Sequence, residues 1–216
     1  MPAQLILPLA TESAMTRGDF IEAPGNARAL AFLEAWPDWP SPAAALFGPP
    51  ASGKTHLAHI WAARAGASIV EACALETPPD GALVVEDCDK APGLAQQTAL
   101  FALMERATPL LLTGRTPPAT WPVSLPDLAS RFRALVAFEL REPNEALLMA
   151  LAVKLFADRQ LLVPEEVVTL LVRHLERTPA AIRAFIARAD AEAMRLQKPI
   201  NIQLLRVLMA ENGDLS

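Results

Sequence analysis

Two kinds of apolar pattern divide this chain. Between Ala43 and Leu140, short and nearly continuous apolar runs alternate with longer stretches in which apolar residues recur at helical spacing. The short runs predict strands over 43–47, 68–71, 82–86, 109–113 and 135–140, and the longer ones predict helices over 54–65, 94–106 and 126–132. A further helix spans Asn26 to Trp36 and is stopped by Pro37. Runs such as Ala82-Leu83-Val84-Val85 and Pro109-Leu110-Leu111-Leu112 leave no polar face, as expected of parallel strands covered on both sides. Past Arg141 the strand pattern ends and only helical spacing remains, over 143–160, 164–176, 179–197 and 201–211. Pro143, Pro164 and Pro179 stand where first-turn prolines belong. The expected architecture is an α/β domain, a parallel sheet with helices on both faces over residues 19–141, followed by a small all-helical domain over 142–216. Residues 1–18 read as a flexible arm.

Composition narrows the function classes. The chain has 216 residues, 52% hydrophobic and 20% charged, enough for one sizeable domain and an appendage. Its net charge of −5 and its lack of like-charge blocks disfavour strong direct DNA binding, which asks for a basic excess. Cys73 and Cys88 have no ligand spacing and read as core-facing hydrophobes of a reduced, cytoplasmic protein. His56, His59 and His174 likewise lack ligand spacing with cysteines or acids. The apolar string Leu5-Ile6-Leu7-Pro8-Leu9 is too short for a signal peptide or a membrane span, so no membrane association is expected.

Chemistry concentrates at the ends of the predicted strands. Gly48-Pro49-Pro50-Ala51-Ser52-Gly53-Lys54-Thr55 matches the phosphate-binding loop pattern G-x-x-x-x-G-K-[ST], and it lies between a strand and a helix as that pattern requires. The glycines let backbone N–H groups turn inward, and the following helix adds its positive N-terminus. Lys54 would reach the β- and γ-phosphates, and the Thr55 hydroxyl would hold Mg²⁺. Leu83-Val84-Val85-Glu86-Asp87 is an apolar strand ending in two acids, one to support the Mg²⁺ shell and one to orient the attacking water; Asp89 reads as a surface acid. Thr113-Gly114 ends the next strand, either to place a polar group near phosphate or to begin a turn. The segment Leu128-Ala129-Ser130-Arg131-Phe132-Arg133 puts an arginine on a short helix between two strands.

In this order the parts resemble an AAA+ ATPase core with its helical lid, and more narrowly the DnaA replication-initiator family. The resemblance spans about residues 19–210. Asp19 to Asn26 resembles the segment that cradles adenine, which implies roles for Phe20, Ile21 and Asn26 beside the loop and the adjoining His56. Leu125 to Phe132 resembles the segment whose S-R-F arginine reaches a neighbouring subunit's nucleotide, which implies Arg131 as an arginine finger. The family's γ-phosphate-sensing arginine falls nearest Ala180, so Arg183 or Arg177 would have to substitute; Arg183 is carried over. The family's Mg²⁺-shell acid is normally Asp, and Glu86 stands there with Asp87 following, which implies weak intrinsic hydrolysis. Gln4-Leu5-Ile6-Leu7-Pro8-Leu9 resembles the peptide that docks into the replication sliding clamp, with Gln4 as hydrogen-bonding group, Leu5, Leu7 and Leu9 apolar, and Pro8 limiting the entropy lost on docking. The helix-turn-helix domain and the N-terminal helicase-loading domain of an initiator are not expected here. Together these features are similar to the Hda-type regulatory inactivators of DnaA. That implies ADP or ATP with Mg²⁺ as ligands, the DNA polymerase III sliding clamp and DnaA as partners, and admits a homo-oligomer. The competing expectations are an autonomous AAA+ ATPase such as a DnaC-type helicase loader, and a P-loop kinase for a small metabolite.

Overall fold

The computed structural model describes residues 15–77, 79–161 and 163–212. Five strands, β1 (Ala43–Phe47), β2 (Ser68–Glu71), β3 (Leu83–Glu86), β4 (Leu110–Gly114) and β5 (Val136–Glu139), form one sheet in the order β2-β3-β4-β1-β5. Every pairing is parallel. Helices α1 (Ala27–Glu34), α2 (Lys54–Ala65), α3 (Leu94–Glu105) and α4 (Pro126–Ala134) flank it.

The continuous apolar strands resolve into two faces by alternation. Ala44, Leu46, Val84 and Leu111 join the cluster that holds Leu30 and Leu33 of α1 and Leu57 and Trp61 of α2. Ala45, Leu83, Val85, Leu110 and Leu112 join the opposite cluster, with Leu100 and Leu103 of α3 and Leu128 and Phe132 of α4. The connection from β1 runs past β4 and β3 to the far edge, whereas β2, β3, β4 and β5 follow in the reverse direction. Right-handed crossovers therefore place α2 on one face and α3 and α4 on the other. The reversal occurs at β1, and the carboxyl ends of the strands around it form the crevice where ligands bind in such sheets.

Behind α2 the Pro-rich turn packs rather than projects. Trp39 stacks on Trp61 with ring centroids 5.1 Å apart, and Trp36 meets Trp61 edge-on at 5.5 Å. After β5 the chain builds α5 (Glu145–Asp158), α6 (Glu165–His174), α7 (Pro179–Leu196) and α8 (Ile202–Asn212) around a core of their own, including Leu148, Phe156, Leu171, Ile182, Phe185 and Leu205. Sheet, two covering layers and all-helical unit match the expected fold class. No helix among the described residues is long and apolar enough to cross a membrane.

Several local expectations are corrected. Asn144, not Pro143, starts α5, because its side chain accepts a hydrogen bond from the Leu147 N–H at 2.9 Å and so caps the helix. Pro164 is itself the cap position of α6, and only Pro179 lies in a first turn, behind a Thr178 cap that accepts from the Ala181 N–H at 3.1 Å. The strand expected over 109–113 runs one residue later, since Gly114 still pairs with Phe47. Cys73 is exposed, because it sits in a one-turn helix beyond edge strand β2; only Cys88 is buried. Residues 16 and 17, counted with the arm on sequence, are seated on the protein: Arg17 Nε donates to Glu34 at 2.5 Å, and the Thr16 carbonyl accepts from His56.

Leu111 is wholly buried in the central strand under α2. Leu111→Ala is expected to cost about 2–5 kcal/mol by lost transfer energy and cavity formation, read as a lower urea midpoint with an unchanged slope.

Candidate functional site

The loop between β1 and α2 has a backbone that its sequence was chosen to allow. Gly48 has φ +150°, and a Cβ there would stand 2.1 Å from the Leu140 carbonyl oxygen. Gly53 has φ +99° and occupies the cap position of α2. With glycine as cap, no side chain satisfies the first-turn amides. The first helical bond runs from Leu57 N–H to the Gly53 carbonyl at 3.0 Å, leaving the N–H groups of Lys54, Thr55 and His56 for an anion. Pro49, Pro50 and the left-handed Ala51 form the crest, and Ser52 is buried beneath it.

Lys54 folds over this loop. Its ammonium donates to the carbonyls of Gly48 at 2.7 Å and Pro49 at 2.8 Å, and to Ser52 Oγ at 3.4 Å. Burial pushes its pKa down from the ordinary lysine value. Asp87, Asp89 and Glu86 oppose that shift, and Arg115 adds to it. The strand order explains this company: β3, β4 and β1 are neighbours, so the acids after β3, the arginine after β4 and the loop after β1 share one rim.

Thr113 fixes the acidic corner. It is buried within β4; its hydroxyl accepts from the Asp87 N–H at 3.3 Å, and its carbonyl accepts from the Cys88 N–H at 2.8 Å. Thr113 thus does not begin a turn; its hydroxyl oxygen helps to position Asp87. Gly114 continues the strand without a side chain because Trp121 closes over it, 2.7 Å from where a Cβ would stand. Asp87 adopts a left-handed φ of 59° and pairs with Lys90 at 2.7 Å, which raises the Lys90 pKa. Asp89 is not the surface acid expected. Its Oδ1 is shielded from solvent and has no hydrogen-bond partner, a costly arrangement for a carboxylate. Only its position two residues beyond Asp87 hinted at this in the sequence.

The proposed adenine side gathers around the segment 16–26. Phe20 meets His56 edge-on at 5.1 Å, and its ring lies 3.3 Å from where a Gly53 Cβ would stand. His56 Nε2–H donates to the Thr16 carbonyl at 2.9 Å, so the neutral ring carries its proton there. Asn26 is buried and braces its own loop, accepting from Ala23 N–H at 2.8 Å and donating to the Ile21 carbonyl at 3.0 Å. Ile21 packs against the core of the helical unit. Arg183 of α7 donates to the Asp19 carbonyl at 3.2 Å, and burial lowers its pKa while Asp19 opposes that; Arg177 is exposed. Of the two arginine alternatives, Arg183 is therefore the one brought to this segment.

Arg131 stands elsewhere. It lies in the last turn of α4, forms an ion pair with Glu105 and places its guanidinium 5.1 Å from the Phe101 ring centroid. Because α3 connects two parallel strands, it runs against them, and Glu105 at its end lies by the strands' amino ends, opposite the phosphate loop. A cavity of about 280 Å³, unremarked in the sequence, opens beside β5 between Gly25, Arg28, Phe47, Phe138, Glu139 and Arg141. The peptide Gln4, Leu5, Leu7, Pro8 and Leu9 lies outside the described residues.

The residues at the loop fit the phosphates of a nucleotide: a glycine-lined turn that no side chain can fill, free first-turn amides, a half-buried lysine, and an orphaned carboxylate oxygen in electrostatic reach of that lysine. No protein-family model and no curated protein matches the chain. Solved structures do. Domain III of the Thermotoga maritima replication initiation protein DnaA superposes with a TM-score of 0.75 at 18% identity, covering 91% of this chain and 96% of that one. The Thermotoga maritima RuvB Holliday junction branch migration motor gives 0.71 at 19%, over 91% and 71%. AMPPCP-bound DnaA from Aquifex aeolicus gives 0.64 at 17%, over 80% and 64%. The fold is thus the DnaA-like AAA+ fold.

His56 supplies a pH test of this packing. Burial lowers its pKa below the model-peptide value of 6.5, so between those two values the unfolded chain binds more protons than the folded one. Stability attributable to His56 is complete above pH 6.5 and falls as pH drops through the folded pKa. Denaturation of wild type and His56→Gln at pH 8 and pH 5 should show the larger difference at pH 8.

Proposed function

We propose that this chain is a regulator of replication initiation of the Hda type. It binds ADP or ATP with Mg²⁺ at Gly48 to Thr55, docks through Gln4 to Leu9 on the DNA polymerase III sliding clamp, and promotes hydrolysis of ATP held by DnaA, working in the cytoplasm. One observation carries the reading: the chain's phosphate loop and its S-R-F arginine stand at opposite ends of one sheet. That separation supports the reading of Arg131 as an arginine offered to another molecule's nucleotide rather than to the chain's own loop. Such an arginine supplied in trans stabilises charge on the transferring phosphoryl group.

On this reading the first-turn amides and Lys54 hold the phosphates, and Thr55 and Glu86 hold Mg²⁺, which neutralises phosphate charge when bound. Thr113 keeps Asp87 at the rim where a water would be oriented. Phe20 and His56 wall the adenine side, braced by Asn26, with Ile21 and Arg183 joining the helical unit to the same segment. Glu86 in place of the shorter Asp makes the chain's own turnover slow, so the nucleotide serves chiefly to fix how the helical unit sits on the sheet. A second reading, an autonomous ATPase such as a DnaC-type loader, gains support from Asp89, whose buried free oxygen offers a further acid near Lys54.

Clamp binding separates the two. Wild type is expected to bind purified clamp with micromolar or tighter affinity, and Gln4→Ala, Leu7→Ala to lose it; equal failure by both proteins turns the choice to the loader. With clamp on DNA, Arg131→Ala should then reduce stimulation of DnaA-bound ATP hydrolysis by roughly a thousandfold while leaving nucleotide binding by this chain intact.

A further inference from the structure

Among the described residues, the polar side chains buried with the core are Asn26, Ser52, Gln97 and Thr113. Three of them belong to the site described above. Gln97 does not: it projects from α3 and is 5% exposed. All of its hydrogen-bonding capacity but one donor is accounted for. Its Nε2 donates to the Pro92 carbonyl at 2.7 Å, and its Oε1 accepts from the Ser124 N–H at 2.8 Å, the Ser124 hydroxyl at 3.1 Å and the Leu125 N–H at 3.2 Å.

The two halves of this amide serve different elements. Helix α4 begins poorly by its own means: its cap residue Leu125 has no polar side chain, and Pro126 follows without an N–H. The Gln97 oxygen anchors the entry of the helix from outside, accepting from the N–H of the cap residue Leu125 and from Ser124 before it, and in that sense α4 starts on a support borrowed from α3. The nitrogen half reaches the other way, to the loop that leaves β3. That loop is pinned at its start, where Asp87 and Cys88 bond to Thr113, and is drawn into a turn by the Lys90 N–H to the Asp87 carbonyl at 3.0 Å. It passes through Ala91 at a left-handed φ of 52° before reaching Pro92. A continuous chain of bonds thus joins Asp87, at the phosphate rim, to the first turn of the helix whose last turn carries Arg131.

We propose that Gln97 is a positioning residue for Arg131, transmitting the state of the acidic loop after β3 to helix α4. Nucleotide and Mg²⁺ binding at the rim shifts residues 87–92, the amide follows Pro92, and α4 turns about its borrowed support, which moves the guanidinium at its far end. A buried amide has to pair its donor somewhere, and here the partner is the Pro92 carbonyl of the loop leaving β3, so one side chain holds that loop and the entry of α4 together. The inference rests on the nucleotide reading of Gly48 to Thr55 and on Arg131 as the finger.

Gln97→Glu divides the two halves. Ionised, the carboxylate keeps an acceptor for Ser124 and Leu125 and has no proton to donate to Pro92, so the comparison is run at alkaline pH. In full-length protein, hydrogen exchange over residues 124–134 is measured with and without saturating Mg·ADP, and Mg·ADP affinity is measured on the same samples. In wild type, nucleotide should change exchange in α4 severalfold. In Gln97→Glu, affinity should stay within about twofold and basal protection of α4 should remain, while the response to nucleotide disappears. In the DnaA assay the same variant should lose roughly tenfold of the Arg131-dependent stimulation. A normal α4 response in Gln97→Glu overturns the proposal, as does a wild-type α4 indifferent to bound Mg·ADP. If wild type binds no Mg·ADP, the affinity arm shows that the nucleotide reading has failed and has taken this inference with it. Should Gln97→Glu not fold, Gln97→Leu, which cannot donate either, must show the same lost response.

Discussion

The contact between Gly48 and the Leu140 carbonyl constrains everything that follows it in both directions. Leu140 leaves β5 still bonded through its N–H to the Phe47 carbonyl at 2.7 Å, so its own carbonyl is driven over the first residue of the phosphate loop. No side chain fits in that gap. Glycine there lets β1 and β5 remain paired to their ends while the loop curls away from them. The next residue, Arg141, bonds to the Gly25 carbonyl at 3.3 Å and leads into the helical unit. The loop after β1, the segment ending at Gly25 and the start of the helical unit are therefore referenced to one point on the sheet.

Charge at the rim follows from the same topology. Lys54 is half-buried, which costs an ammonium hydration, and it recovers part of that cost from two loop carbonyls and the acids after β3. The Asp89 Oδ1 is shielded from solvent and has no hydrogen-bond partner. Incompletely satisfied charges gathered at one rim are the arrangement expected of a site that receives a further charged species.

Much of this was legible in the chain. Strand identities and the split into an α/β part and a helical part follow from hydrophobic period alone, because strands buried on both faces have no room for polar residues and amphipathic helices have no use for continuous apolar runs. The phosphate loop was legible because its glycines are demanded by backbone geometry rather than by a partner elsewhere. Positions set by particular hydrogen-bond partners were hidden. Asn144 displaced Pro143 as helix start because a side-chain acceptor outranks a residue that merely tolerates the place. Thr113 left two readings open, a polar group near phosphate or the start of a turn, because its partner, the Asp87 amide, is 26 residues away. Gln97 carried no signal at all, since a glutamine on a helix reads as surface until the chain folds Ser124 against it.

The loop after β1 and the last turn of α4 lie at opposite ends of the sheet, so any coupling between them has to cross it. A parallel sheet transmits little along its strands, because its ladder is uniform and stiff; what can move are the connections. Of these, the loop from β3 to α3 is the one that touches both ends, starting beside Lys54 and finishing at the helix that packs against α4. A buried amide across that junction is costly unless all its groups are paired, and here a single side chain pairs with groups of both neighbours. The polar atoms that interrupt an otherwise apolar layer thus lie where the two functional ends have to be joined, and the hydrocarbon packing of α3 on the sheet holds that junction to one geometry.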